Sequence, residues 1–562
     1  MTRYVGSESH GWLAPSPHTT MRFPFILPLS ALVLSLLAPS ALAKEPEESA
    51  PVKIQAIASP QELTSQLKTS LAKVRSSCVA VFVGGYGSGV IISPDGLVIT
   101  AAHMMRDIKD DKNFKITLED GRSVKAKLLG FNRETDFALL QITEKSKTPW
   151  PHCELAKTSP LTGAFCFTMA HPSGRLKGRP AQVRIGRITT HSMRDDKPFY
   201  LFSDCNIQPG DSGGPLFSMD GKLIGLDSSA ANILGLNIFP AIDQFHIDRN
   251  RLLKGDRWGD DEKAPDGPSF IQVSLKKEDL AKVQEEFMRR AKIQYPPTIS
   301  FIQSLKNNDG AVELDQQAMV NHMPRDVIAI ARNQPLSLGL DDPQLSQQLP
   351  PLPAKAVRGI PLYDGDERFA YGVAVDPQHI LTKASLLPKG KAITIQSKGS
   401  KAHELKLVAT DKVWDLALLR VTKNIQLPAI QWPSSKVNAV EPGDLLIAKD
   451  DMNRTIWNVA TDQSRIMSKK RSIGPMKHKS LISEHRAPYP LAIRHALPLF
   501  AKDAGLPVFN QKGEFIGIHI ARFSRTMGLI IPADQLKAQS LKMLAESEKA
   551  EKHTQAEQLP AK

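Results

Sequence analysis

The chain has 562 residues, of which 41% are hydrophobic and 23% charged, with 35 Gly, 41 Pro and 4 Cys. This composition excludes a wholly disordered chain, a collagen-like repeat and a small disulfide-built scaffold, and its length predicts about three to four domains. The formal net charge of +14 allows an acidic partner or surface, while the lack of repeated long apolar runs excludes a polytopic membrane protein.

Residues 1–43 read as an N-terminal extension and signal peptide. Arg22 precedes an apolar stretch from Phe23 to Leu37, and Ala41-Leu42-Ala43 is a small-x-small cleavage signal. The apolar core is short for a spanning helix. The natural start is expected at Met21 and the mature chain at Lys44, followed by a linker over 44–59. Such a protein is exported, to the periplasm or beyond the cell. Outside the cytoplasm Cys78, Cys153, Cys166 and Cys205 could pair in three connectivities. They fit equally well as small buried hydrophobes in strands such as Ala164-Phe165-Cys166-Phe167. Their spacing matches no metal site.

Residues 60–250 alternate short β-runs with turn signals: Val79–Val83, Gly89–Ser93, Leu97–Thr100 and Lys222–Leu226, punctuated by Pro94-Asp95-Gly96 and Met219-Asp220-Gly221. Residues 251–355 change character. Leu280, Val283, Phe287 and Ala291 share one helical face, and the segment ends in Leu349-Pro350-Pro351-Leu352-Pro353, which predicts a helical and Pro-rich connector. Residues 356–540 return to short strands, and 541–562 read as a polar helical tail.

An internal repeat links the two β regions. The run Gly89–His103 aligns with Gly372–Ser385, one turn residue shorter, and Thr135–Leu140 aligns with Trp414–Leu419. Pro215–Gly225 matches Pro507–Gly517 without a gap, and Gly235–Ala241 echoes Gly528–Ala533. Four matches in one order mean that the chain contains one fold twice.

Three pieces of the first copy fit together chemically. Thr100-Ala101-Ala102-His103 ends a strand with a histidine, Thr135-Asp136 opens an apolar strand, and Gly210-Asp211-Ser212-Gly213-Gly214-Pro215 puts a serine in a Gly-rich turn. Singly, the histidine and the aspartate would fit ordinary structural roles. In the order His, Asp, Ser on a β-rich frame, they resemble the chymotrypsin-like serine proteases. Within that clan the likeness is to the bacterial high-temperature-requirement (Deg-type) proteases, through GSGVIISPDGLVITAAH, TDFALL, the Pro172-Ser173-Gly174 turn and Gln208–Leu216.

The resemblance covers about residues 60–250. It implies a mostly β chain with two chymotrypsin-like double β-barrel domains, each with a cleft between its barrels, joined by a partly helical connector. A serine hydroxyl is a poor nucleophile at neutral pH, so Ser212 would need His103 as base, with Asp136 fixing the imidazole tautomer. The N–H groups of Gly210 and Ser212 would form the oxyanion hole. The expected activity is acyl-enzyme hydrolysis of proteins or peptides, without cofactor or metal.

The chain also departs from that family. Asp211 stands where Deg-type enzymes usually have Asn. In trypsins that Asp pairs with an N-terminus made by cleavage, yet no Ile-Val-Gly-Gly start lies suitably upstream of His103, so activation by cleavage is not expected. Met104, not Cys, follows His103. Asn206 and Ile207 lie where the family's primary pocket begins, and Asp227 is the one nearby candidate charge, though an ordinary structural role fits it better; a small or medium apolar residue is expected before the cut. Residues 251–355 lack the Gly-Leu-Gly-type loop of a PDZ domain.

The second copy lacks the chemistry. Ser385 replaces the histidine, Ala504 replaces the serine, and Asp415 is left with no imidazole to orient. A pseudo-protease with a regulatory or binding role is expected. Residues 356–540 carry 27 Lys and Arg against 16 Asp and Glu, with Lys469, Lys470 and Arg471 in the densest cluster. That cluster reads either as a solvated loop or as an anchor for an anionic envelope polymer or membrane surface. Nucleic acid is not expected of an exported chain without aromatic-interleaved basic motifs. The alternative for the whole chain is a non-catalytic envelope-binding or scaffold protein on a trypsin-like fold. Its oligomeric state is not read from the sequence.

Overall fold

In the computed structural model, residues 60–105, 114–161, 163–177, 179–230, 237–259, 358–395, 402–422, 425–433, 440–451, 455–466, 482–486 and 488–557 are described. The signal-peptide segment, the helical face at Leu280–Ala291 and the cluster Lys469–Arg471 lie outside them. Among the described residues no helix is long and apolar enough to cross a membrane.

The fold is mostly β. A helix, α1 (Pro60–Val74), leads in, with Leu63, Leu67, Leu71 and Val74 buried on one face by their i, i+4 spacing. The first barrel follows: β1 (Cys78–Phe82), β2 (Tyr86–Ile91), β3 (Leu97–Ala101), β4 (Phe114–Thr117), β5 (Ser123–Asn132) and β6 (Phe137–Ile142). They run in the order β5-β4-β1-β2-β3-β6, and a β5–β6 ladder closes the ring. The turn between β2 and β3 is built by Ser93, whose carbonyl accepts from Gly96 N–H at 3.1 Å and whose Oγ accepts from Leu97 N–H at 2.9 Å.

After β7 (Glu154–Leu155) the second barrel is formed by β8 (Phe165–Ala170), β9 (Gln182–Arg194), β10 (Lys197–Ser203), β11 (Pro215–Ser218), β12 (Lys222–Leu226), β13 (Ser229–Ala230) and β14 (Asn237–Pro240). Its ladder runs β14-β10-β9-β8-β11-β12, and a bridge from Gly225 to Ala241 brings the two ends together. The α2 helix (Ile242–Lys254) and β15 (Arg257–Trp258), which pairs with β5, complete this copy.

The duplicate has two closed six-stranded barrels. One is made by β16 (Ile360–Asp364), β17 (Glu367–Ala374), β18 (His379–Lys383), β19 (Ile393–Ile395), β20 (His403–Asp411) and β21 (Leu416–Val421). The other is made by β22 (Leu445–Lys449), β23 (Thr455–Ile466), β24 (Tyr489–His495), β25 (Pro507–Asn510), β26 (Phe515–Arg522) and β27 (Gly528–Pro532). A C-terminal helix, α3 (Ala533–Glu557), buries Leu536 and Met543.

The two copies are also packed together. Leu445, Ile447, Trp457 and Val459 of the second copy share one hydrophobic core with Ile185, Phe167 and Phe217 of the first and with Leu67 and Leu71 of α1. Burying such side chains contributes roughly 1.5–3 kcal/mol each. The apolar join makes the copies parts of one structure.

Candidate active site

The strand ends deliver the three predicted residues to one place. His103 sits on the 3-10 turn Ala102–Met105 that leaves β3, Asp136 stands one residue before β6, and Ser212 lies in the turn before β11. Because β3 and β6 are neighbours in the ladder, Asp136 is fixed directly against the β3 exit: Ala102 N–H donates to Asp136 O at 3.0 Å and His103 N–H to Asp136 Oδ1 at 2.8 Å. Asp136 adopts φ +58°, a left-handed conformation that Asp tolerates better than most residues.

The side chains form a continuous path. His103 Nδ1 is 2.9 Å from Asp136 Oδ2, and His103 Nε2 is 2.9 Å from Ser212 Oγ. Asp136 has 5% of its side chain exposed against 37% for His103, so the carboxylate is sheltered and the ring faces the cleft. A further donor was not anticipated from the sequence: Ser228 Oγ donates to Asp136 Oδ2 at 2.6 Å. Its signal lay in the repeat, where the equivalent position is Ile520, which has no hydroxyl.

Ser212 is held by a rigid turn. Pro209 and Gly210 occupy the corners of a type II turn, with Asp211 N–H donating to Gln208 O at 3.0 Å and Gly210 at φ +92°. A Cβ on Gly210 would lie 2.2 Å from Pro172 O, so this position requires glycine for both conformation and space. Ser212 O accepts from Ser88 N–H at 2.8 Å, locking the turn to β2. Among the described residues, the Gly210 and Ser212 N–H groups have no hydrogen-bond partner. Two backbone donors beside the serine hydroxyl are therefore available to an oxygen anion.

Asp211 anchors the turn from beneath. Its Oδ2 meets Arg184 Nη1 at 2.5 Å and accepts Gln208 N–H at 2.8 Å. Burial raises the Asp211 carboxyl to about 6, against the pull of the Arg184 guanidinium. The cation that faces Asp211 is thus an internal arginine of β9.

The three expected pocket residues are all buried. Asn206 and Ile207 lie together: Ile207 N–H donates to Asn237 Oδ1 at 3.2 Å, and both residues are buried. Asp227 is held inside the fold. Its side chain is fully buried, and Thr168 Oγ1 approaches both carboxylate oxygens at 2.6 and 2.8 Å. Burial raises it well above the usual carboxylate range, with Asp211 adding repulsion. It offers no charge to a substrate.

The second copy keeps the frame and fills the site. Ser385 N–H and Oγ donate to Asp415 Oδ1 and Oδ2 at 2.8 and 2.7 Å. Lys383 Nζ adds an ion pair to Asp415 at 3.0 Å, hydrogen-bonded also to the carbonyls of His485 and Ile520. Ala504 holds Tyr371 N–H at 2.8 Å, as Ser212 holds Ser88, but Gly505–Leu506 follows where the first copy has Gly213–Gly214. Asp503 is paired with Arg368 of β17 at 3.1 Å. No imidazole and no hydroxyl nucleophile stand at the matching positions. The four cysteines are buried and unbonded, with the Cys166 and Cys205 sulfurs 3.9 Å apart.

The model of the trypsin-like peptidase domain matches residues 87–226 and again 370–518, which together make up half of the chain. Among curated proteins, a probable periplasmic serine endoprotease DegP-like from Rickettsia conorii is 35% identical over 27% of this chain and 30% of its own length. One of the same description from Halomonas elongata is 33% identical over 28% and 33%, and the putative serine protease HhoA of Synechocystis is 29% identical over 31% and 44%. The match thus spans about a third of the length of the first two relatives. Among solved structures, the serine endoprotease from Yersinia pestis covers 34% of this chain and 66% of that one at 22% identity and TM-score 0.29, and Deg5 covers 34% and 96% at 22% and 0.30.

Proposed function

The chain belongs to the trypsin-like peptidase family, and on that premise we propose that it is an exported serine endopeptidase, catalytic in its first copy and non-catalytic in its second. The observation that carries this reading is the path Asp136–His103–Ser212, with 2.9 Å at each of its two steps. Ser212 Oγ attacks the scissile carbonyl carbon while His103 Nε2 takes the hydroxyl proton, and Asp136 stabilises the resulting imidazolium. The carbonyl oxygen becomes an anion facing the N–H groups of Gly210 and Ser212. When the C–N bond breaks, the leaving amine takes the proton from His103 and the acyl group stays on Ser212. Water, activated by the same ring, then releases the acid.

The buried state of Asp227 supports a small or medium apolar residue before the cut, since its carboxyl is not exposed to select Lys or Arg. The leader-like residues 21–43, with relatives named periplasmic, support a periplasmic location. The cluster Lys469-Lys470-Arg471 supports salt-sensitive attachment to an anionic envelope polymer; neutralising all three is expected to release the protein from envelope fractions at lower salt, and unchanged retention would contradict that attachment.

The decisive comparison is casein degradation by the chain from Lys44 onward against its Ser212→Ala variant. The wild type is expected to degrade casein and the variant not; equal rates would leave the non-catalytic scaffold reading in its place.

A further inference from the structure

The second copy reaches into the first at the base of the oxyanion turn. Arg525, at the tip of the β26–β27 hairpin, is buried; its Nε donates to Ile207 O at 2.8 Å and its Nη2 to Asn237 Oδ1 at 3.0 Å. Asn237 Oδ1 also accepts Ile207 N–H, and Asn237 Nδ2 donates to Ser203 O at 3.1 Å. Ile207 is therefore gripped at its N–H and its carbonyl, one residue before Gln208 begins the turn that carries Gly210 and Ser212.

The hairpin tip is itself braced. Phe523 and Ser524 N–H both donate to Met527 O, at 2.8 and 3.1 Å, while Arg522 holds the carbonyls of Leu497 and Arg525. A second brace meets the other side of the turn's anchor. Asn458 of β23 donates from Nδ2 to Ile185 O at 3.2 Å, next in sequence to Arg184, the ion-pair partner of Asp211. The apolar join around Trp457 and Val459 keeps both braces in place.

We propose that Arg525 is a positioning residue for the oxyanion turn, so that the non-catalytic copy is a built-in part of the first copy's catalytic frame. The planar guanidinium suits this because it holds two acceptors in fixed directions, which an ammonium does not. Donors aimed in advance at a developing charge carry much of the rate of acyl transfer, and small misplacements are costly. The proposal rests on the serine endopeptidase reading.

The test measures kcat and KM on a peptide substrate, per folded molecule of the full mature chain, for wild type, Arg525→Met, Arg525→Lys and Lys68→Ala. Lys68 bridges α1 to Glu441 and Asp444 of the second copy away from the turn, and serves as the interface control. An inactive wild type refutes the peptidase reading itself. Given an active wild type, Arg525→Met is expected to lose about tenfold or more in kcat, with KM less affected; Arg525→Lys is expected between, and Lys68→Ala unchanged. Asp211 is faced by Arg184, Arg525, Arg179 and Asp227. Losing the Arg525 charge is expected to move the acid limb of kcat to higher pH in the Met variant and not in the Lys variant, a shift that a purely structural role would not produce. Wild-type kcat per folded molecule in both variants, or in the Lys variant should the Met variant not fold, overturns the proposal.

Discussion

In the proposed mechanism Ser212, His103 and Asp136 act as one unit, so removal of Ser212 or His103 alone is expected to eliminate nearly all turnover. Ser212→Ala and His103→Ala should each lower kcat by about 10⁴-fold or more, measured on a peptide substrate with unchanged thermal melting. Ser228→Ala removes one donor from the Asp136 carboxylate and is expected to cost a smaller amount, about ten- to a hundredfold in kcat, a net hydrogen bond to a charged group being worth about 1.5–3 kcal/mol. Gly210→Ala would force a left-handed φ and a clash with Pro172 O, misplacing one oxyanion donor; kcat is expected to fall about 10²–10³-fold with little change in KM. The letters of the triad were legible because each lies at a strand end within a distinctive local run. Ser228 and Arg184 were not, since a serine after a strand and an arginine inside one carry no local signal. Their roles arise only when β9 and β12 are folded beside the turn.

The turn and the strands beneath it depend on a buried ion pair. Arg184→Met would leave Asp211 buried without its cation, a loss of about 3–5 kcal/mol expected in denaturant melts at neutral pH. That variant should also lose activity, because Asp211 holds the Gln208 N–H that starts the turn. The strands were legible from β-branched runs and Asp-Gly turns, and the duplicate from four matches in one order. The α1 helix was not anticipated, although Leu63, Leu67 and Leu71 stand at helical spacing. The α3 helix starts at Ala533 because Leu536 and Met543 pack on the barrel, a contact no tail reading anticipates.

At the scale of the whole molecule, buried groups of the two copies are expected to respond oppositely to acid. In the first copy, burial raises Asp204 to about 7 and Asp211 to about 6, so the folded state binds more protons than the unfolded state between pH 4 and these values, and acidification adds stability. In the second copy His495 and His519 form a buried pair at 3.1 Å, and burial lowers both, His519 to about 3. Unfolded histidines protonate near pH 6.5 while these stay neutral, so their contribution is present above about pH 6.5 and is lost as pH falls. His519→Gln is expected to remove about 1.4 kcal/mol per pH unit from the acid slope of stability below about pH 6, measured by urea unfolding at pH 7 and pH 5. The duplication could be read from sequence, but the Arg525 grip between the copies could not, since it joins residues far apart in the chain. The measurement that tests the central claim most directly is labelling of the folded mature chain with a serine-reactive fluorophosphonate, with the modified peptide located by mass spectrometry. The account predicts labelling at Ser212 that disappears in His103→Ala; a folded protein that stays unlabelled, or one labelled equally well without His103, would contradict it.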